Sequence, residues 1–344
     1  MKRQTIYSQG PRIVAIGGGT GLSTMLRGLK RRTSRLTAVV TMADDGGSSG
    51  MLRTDLGMPP PGDIRHCMQA LANTEPLMEK LINYRFTEGS LSGQSFGNLF
   101  IAALMGVTGS FEEAVAQMGD VLAITGRVLP VTTENIRLVA DFENGTQVTG
   151  ESKISAFKKE QDCRITRVHL LPDRPRANPE ALAAIEEADL ILLGPGSLYT
   201  SVIPNLLVEG VAEAVRRSPA LRVYVCNVMT QDGETEGYSA ADHLRALLKH
   251  AGGRLVDYCL VNSAPIPEAL LSRYADEGCA PIRGDAQSLR ELGVEVLLRP
   301  VADVANRQLA RHDPEALSRA ILELMEEHTV RTLERGEPRY VRES

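Results

Sequence analysis

The chain has no excess of basic charge: 38 lysines and arginines stand against 43 aspartates and glutamates in 344 residues, a net charge of −5. That argues against nucleic-acid partners, which are held by basic surfaces, so an anionic ligand has to be met by local loops and a few arginines. No segment approaches the roughly eighteen consecutive apolar residues of a membrane span. Lys2 and Arg3 are followed by no apolar stretch, so no signal peptide is expected. The cysteines (Cys67, Cys163, Cys226, Cys259, Cys279) are odd in number, scattered and never spaced C-x-x-C. Neither a disulfide framework nor a zinc site is suggested, and reduced thiols in a cytoplasm fit. The rest is ordinary for a globular chain, with 43% hydrophobic and 24% charged residues.

Against this plain background one cluster stands out. Gly17, Gly18, Gly19, Thr20 and Gly21 lie between the apolar run Ile13-Val14-Ala15-Ile16 and a stretch, residues 22–30, in which Leu22, Met25, Leu26 and Leu29 recur at helical spacing. The period changes across the glycines, which predicts a buried parallel strand, a tight turn and a helix. Such a turn exposes backbone N–H groups at a helix N-terminus where no Cβ blocks an anion, so phosphate or pyrophosphate is expected there. The alternative is a turn built only for close packing. Two common motifs are absent: the dinucleotide fingerprint would need glycine where Leu22 stands, and a Walker A loop would need a lysine.

The second predicted strand, residues 36–41, leads into Asp44-Asp45-Gly46-Gly47-Ser48-Ser49-Gly50. Adjacent carboxylates at a strand's C-terminal end offer a cradle for Mg²⁺ or ribose hydroxyls, and otherwise an Asp-Gly turn. Asp63 follows three prolines as the expected cap of a helix carrying Ile64, Cys67, Met68 and Leu71. Arg65 in its first turn is a candidate phosphate clamp, whereas His66 reads more plainly as a solvated histidine. Asn98, at the head of an apolar helix, either faces a ligand or caps its turn. A third loop, Gly194-Pro195-Gly196-Ser197 through Thr200 and Ser201, follows the strand at residues 188–193 and offers amides and hydroxyls to a second phosphate. Strands at residues 222–229 and 256–262 then end in Asn227 and Asn262, and shorter ones are expected at 280–283 and 294–298.

Between these stretches, residues 136–142, the turn Glu143-Asn144-Gly145-Thr146 and residues 147–150 read as a hairpin, with another strand at 165–170. The predicted architecture is α/β: a doubly wound, mostly parallel sheet with helices on both faces and a small antiparallel insertion. Its expected parts are residues 11–126 and 173–330 as two halves of one core, 127–172 as a β-rich lobe, and 331–344 as a tail. Every unusual loop lies where a parallel strand should end, and in such sheets ligands bind outside the strands' carboxyl ends.

The motifs around Gly17–Gly21, Asp44–Gly50, Pro59–Asp63, Gly97-Asn98-Leu99, Gly194–Ser201 and Cys226–Gln231 closely resemble those of the YvcK-like gluconeogenesis factors of bacteria, over about residues 11–340. That family is related to the CofD enzymes, which transfer a phospholactyl group from a guanylylated donor to a deazaflavin with a Mg²⁺ near motifs like Asp44-Asp45. The resemblance implies a cytoplasmic UDP-sugar-binding protein, for a ligand such as UDP-GlcNAc, needed for cell shape and wall synthesis on gluconeogenic carbon. It also implies a homo-oligomer paired through apolar helices of the first half. Tyr274 and Arg311 fall where the family is thought to hold the UDP-sugar; Tyr274 can stack on uracil and Arg311 can fork onto pyrophosphate, or the two can be a packing tyrosine and a solvated arginine. No tightly bound organic cofactor is expected, and Mg²⁺ at Asp44 and Asp45 stays open. Read as an enzyme, the chain would be a transferase with Asp44, Asp45 and Asn98 as candidate catalytic groups, with Asn98 or Asn227 positioning the acceptor. It shows no obvious general base. An NAD-type oxidoreductase is disfavoured by Leu22.

Overall fold

The computed structural model describes residues 10–303, 305 and 308–334; Lys2 and Arg3, and most of the expected tail, lie outside them. The glycine cluster does what its change of period requires. Strand β1 (Ile13–Gly17) is wholly buried and passes directly into helix α1 (Gly19–Leu29), which turns Leu22, Met25, Leu26 and Leu29 into the core. Strand β2 (Leu36–Val40) follows, and the loop after it closes into α2 (Gly47–Leu56), so Ser48 and Ser49 are helical. Helix α3 (Gly62–Leu71) is capped by Pro61, which places Asp63 inside its first turn and corrects the expectation that Asp63 caps it. A carboxylate there suits the positive end of the helix dipole. Helices α4 (Pro76–Asn83), α5 (Phe96–Thr108) and α6 (Phe111–Val121) complete this half.

Strand β3 (Arg127–Pro130) pairs in parallel with β2 in the main sheet, so residues 127–130 belong to the core and not to the insertion. The insertion itself holds β4 (Arg137–Phe142), β5 (Gln147–Thr149) and β6 (Ile165–Leu171), an antiparallel sheet in the order β5-β4-β6. It also holds a helix that the alternating pattern did not announce, α7 (Glu151–Gln161). The chain returns through α8 (Pro179–Glu187) to β7 (Leu190–Leu193). The stretch after the third loop is divided into α9 (Ile203–Leu206) and α10 (Val211–Arg217) by Gly210, whose φ of 86° no helix accommodates. Strand β8 (Leu221–Val225), α11 (Ala240–Ala251) with its Ser239–Asp242 capping box, β9 (Tyr258–Asn262), α12 (Glu268–Asp276), α13 (Ala286–Glu291) and β10 (Glu295–Arg299) follow. The strand expected at 280–283 is only an isolated bridge from Met229 to Pro281, a residue with no N–H to continue a ladder. The last helix, α14 (Pro314–Glu334), packs on α1 and runs into the first residues of the expected tail.

Seven parallel strands form one sheet in the order β10-β9-β8-β7-β1-β2-β3. From β1 the chain winds outward through β2 and β3; from β7 it winds outward the other way through β8, β9 and β10. Right-handed crossovers therefore place the helices of the two halves on opposite faces, α1 and α3 packing together on one and α8, α9, α10 and α11 on the other. No single helix among the described residues is long and apolar enough to cross a membrane.

Candidate functional site

The direction of winding reverses between β1 and β7, and connections that leave in opposite directions open a crevice at the strands' carboxyl ends. The loop after each of these strands is glycine-rich because the two touch. A Cβ on Gly21 would stand 2.7 Å from the Pro195 carbonyl oxygen. A Cβ on Gly18 would strike the Asp63 carboxylate at 2.4 Å, and one on Gly62 the Asp44 carboxylate at 2.5 Å. No L side chain fits any of these positions without displacing the site.

The resulting cavity measures about 620 Å³ and collects most of the residues singled out from the sequence: Gly18, Gly19, Thr20 and Gly21 from the first loop, Pro195, Gly196, Ser197, Thr200 and Ser201 from the third, Asn227, Asp44, Asp63, Tyr274 and Arg311. Gly17 and Gly194 are buried behind this lining as the last residue of β1 and the first after β7. Three candidates point elsewhere. Asp44 faces the crevice, whereas Asp45 lies on the opposite side of the loop, its Oδ1 accepting from the Ser152 N–H at 2.8 Å. Arg65 and Asn98 are both buried and partner each other, Arg65 Nε donating to Asn98 Oδ1 at 2.8 Å and a terminal nitrogen to Gln69 at 3.0 Å. Arg65, expected as a clamp on phosphate, instead ties α3 to α5; burial, aided by Arg85, lowers its pKa to about 10.

The third loop also departs from expectation. After Ser197 it makes a single π-helical turn, Leu198–Val202. The amides that begin this turn do not await an anion from outside, because a buried carboxylate already holds them: Glu234 accepts from the N–H groups of Tyr199 at 2.9 Å and of Leu198 and Thr200 at 3.1 Å. Nearby, Asn227 grips Gly196 from both sides, accepting from its N–H at 3.0 Å and donating to its carbonyl at 2.9 Å, and Ser197 Oγ donates to Gln231 at 2.7 Å. Residues 227–235 therefore splint the loop. The amides left for a ligand are those at the start of α1, where the cap residue Gly18 brings no side chain of its own.

Two crevice residues come from a segment in which the sequence showed no chemistry. Glu151 opens α7, and Lys159 lies two turns further along it, ion-paired with Asp232 on the far wall. Helix α7 thus spans the crevice from the β2 loop to the β8 loop. Burial first, then repulsion from Asp44, Asp45 and Asp63, raises the Glu151 pKa to about 7. Burial, then Asp63, likewise raises that of Asp44. Opposite this acidic side stand Arg311, exposed, and Tyr274, whose hydroxyl accepts from the Ala310 N–H at 3.3 Å. His312 beside them is buried, and its pKa is depressed to about 4, so its ring is neutral.

Among the described residues no three His, Cys, Asp or Glu side chains converge as a ready-made metal cage. Mg²⁺ needs none, being held as a rule by one or two carboxylates together with substrate phosphates. Asp44 and Asp63, hard oxygen donors beside the α1 N-terminus, fit that role. Asp45 does not.

Comparison with known proteins adds a family to this geometry. Residues 13–302 match the model of the CofD family, described as 2-phospho-L-lactate transferase CofD. A gluconeogenesis factor of Bacillus subtilis is 46% identical over 320 residues, covering 93% of this chain and 99% of that protein. One from Listeria monocytogenes is 41% identical, covering 96% and 99%. A crystal structure of a UPF0052 family member from Bacillus halodurans superposes with a TM-score of 0.87 at 46% identity, covering 92% of this chain and all of that one.

Proposed function

We propose, on the footing that this chain belongs to the CofD family and is similar throughout to its gluconeogenesis factors, that the crevice binds a nucleoside-diphosphate sugar. The ligand class we favour is a UDP-sugar such as UDP-GlcNAc, and the protein acts as a cytoplasmic regulator of cell shape and wall synthesis during gluconeogenic growth. The observation that supports this most is the meeting of two glycine loops at the β1–β7 reversal, in a cavity of about 620 Å³ whose opposite wall carries Tyr274 and Arg311. The diphosphate lies along the first turn of α1, where backbone amides and the helix dipole favour negative charge. Arg311 forks onto a phosphate oxygen and Tyr274 stacks on the base. The output is a change of conformation or partner. Calorimetric titration with UDP-GlcNAc, beside GDP and NAD, is the test. Selective UDP-GlcNAc binding that is lost in Arg311→Ala is expected, and preference for GDP or NAD overturns the reading.

A second reading is favoured by the carboxylates: a CofD-like transferase moving a phosphate-linked group from a nucleoside-diphosphate donor. Asp44 and Asp63 would hold Mg²⁺, which when bound neutralises charge on a diphosphate leaving group. GDP binding only with Mg²⁺, together with turnover lost in Asp44→Asn, would select this reading.

A further inference from the structure

Behind the Asp44–Asp45 loop lies a second cavity, of about 500 Å³, where α2, β4 and the start of α7 meet. Its charge is opposite to that of the chain. Arg53, Arg137 and Lys153 line it against the single carboxylate of Asp45, whereas the chain as a whole carries −5. We propose that this is a second ligand site, selective for the phosphate group of a small anion.

The three cations differ in how they are held. Arg53 is fixed: one terminal nitrogen donates to the Asp44 carbonyl at 3.0 Å and the other to Asn135 Oδ1 at 2.7 Å and the Ile136 carbonyl at 2.6 Å. Arg137 and Lys153 are exposed and make no side-chain hydrogen bond or ion pair among the described residues. Asp45 offsets only part of the repulsion among these three like charges, and Arg137 is, after burial, the other cause that lowers the Arg53 pKa against the attraction of Asp45. A phosphate between a fixed guanidinium and two free cations relieves that repulsion and takes charge-assisted bonds in the fork geometry that arginine provides. Asp45 is partly occupied, accepting from the Ser152 N–H, and leaves the wall with a net charge of +2.

This site is separate from the crevice but shares a wall with it. In the β2 loop Asp44 faces the crevice and Asp45 this cavity; at the start of α7, Glu151 faces the crevice and Gly150 and Lys153 this cavity. An anion held here therefore bears on the backbone of Asp44 and Glu151, two of the crevice carboxylates.

The test is calorimetric titration of the full chain with inorganic pyrophosphate at low salt, using Arg137→Glu/Lys153→Glu and, as a control of equal net charge, Lys80→Glu/Arg290→Glu, at exposed positions on α4 and α13 outside both cavities. The paired reversal is expected to weaken one class of pyrophosphate site at least tenfold, while the control pair changes neither class by more than about twofold. If the two variants titrate alike, the proposal is wrong. Should the paired variant lose its cooperative thermal transition, Arg137→Ala, at an exposed position, decides the matter by the same titration with about threefold weakening expected. Citrate is titrated in parallel, and binding equal to that of pyrophosphate overturns selectivity for phosphate. The Arg311→Ala variant keeps this outcome separate from the crevice reading, because it removes the crevice contact and leaves the second site intact.

Discussion

Glu234→Gln tests the most unusual feature of the site, a carboxylate buried to 2% exposure and held by three backbone amides. Two effects oppose each other. The amides favour the charged form, whereas loss of water disfavours it, and desolvation wins, raising the pKa from 4.5 to about 7. A carboxylate whose folded pKa is raised adds stability that is fully present below its unfolded value and is lost as pH rises through the folded one. The rise is worth about 3.4 kcal/mol in total, of which about 2.5 falls between pH 5 and pH 8. Glutamine has the same shape and no charge to lose. It keeps an oxygen for Tyr199 and Thr200, which share Oε1, and turns an N–H₂ toward the Leu198 amide, a cost of about 1–3 kcal/mol at every pH. With an unfolding entropy of about 0.7 kcal/mol/K for a chain of this length, the difference in Tm, variant minus parent, should rise by about 4 °C between pH 5 and pH 8. Thermal melts of both proteins at half-unit pH intervals measure it directly. The contribution of Asp44 is common to both and cancels, whereas that of Glu151, on which Glu234 acts more weakly than burial and the three aspartates, shifts the difference in the same direction. A Tm difference that stays constant, or falls as pH rises, would refute the reasoning, because it would mean that the amides hold Glu234 ionised despite its burial.

Two further outcomes follow. With Mn²⁺ as a paramagnetic probe for Mg²⁺, Asp44→Asn and Asp63→Asn should each weaken metal binding about tenfold or more, while Asp45→Asn changes it by less than twofold. Affinity should also climb from pH 6 to pH 8 as Glu151 ionises with its pKa of about 7, and equal losses in all three variants would contradict the division between the two aspartates. We also propose self-association through α5 and α4: α5 has no charged residue, yet Val107 is 85% exposed and Leu77 of the adjacent α4 is 69% exposed. Sedimentation should find a dimer at micromolar concentration that Leu77→Glu/Val107→Glu dissociates; a monomeric parent protein excludes this face.

Local signals carried far in this chain. Four apolar residues before five that include four glycines, then helical spacing, specify β1, the turn and α1, since each feature acts within a few residues. The Asn-Gly turn announced the β4–β5 hairpin for the same reason, and strands ending in small polar loops announced the crevice. The pattern misled where one local signal served two structures. The helix-capping role read for Asp63 went to Pro61, and the short stretch Arg127–Pro130 paired with β2 although its neighbours in sequence form the insertion.

What the sequence by itself determined, then, is the order of strand, loop and helix and the chemistry of the loops, because hydrophobic period and turn residues act over short range. Which loops touch, and which side chains they present, only the tertiary structure decided. Whether Asp44 or Asp45 faces the crevice depends on the direction of a loop pinned by Ser152, more than a hundred residues away. The third loop's amides are taken because Glu234 lies some 35 positions downstream and is folded against them. Glu151 had no signal of its own: it is an ordinary glutamate at a helix start until α7 carries it across the crevice, where burial and the neighbouring aspartates change its acidity. Contacts between distant residues set desolvation and charge coupling, and no spacing along the chain encodes them.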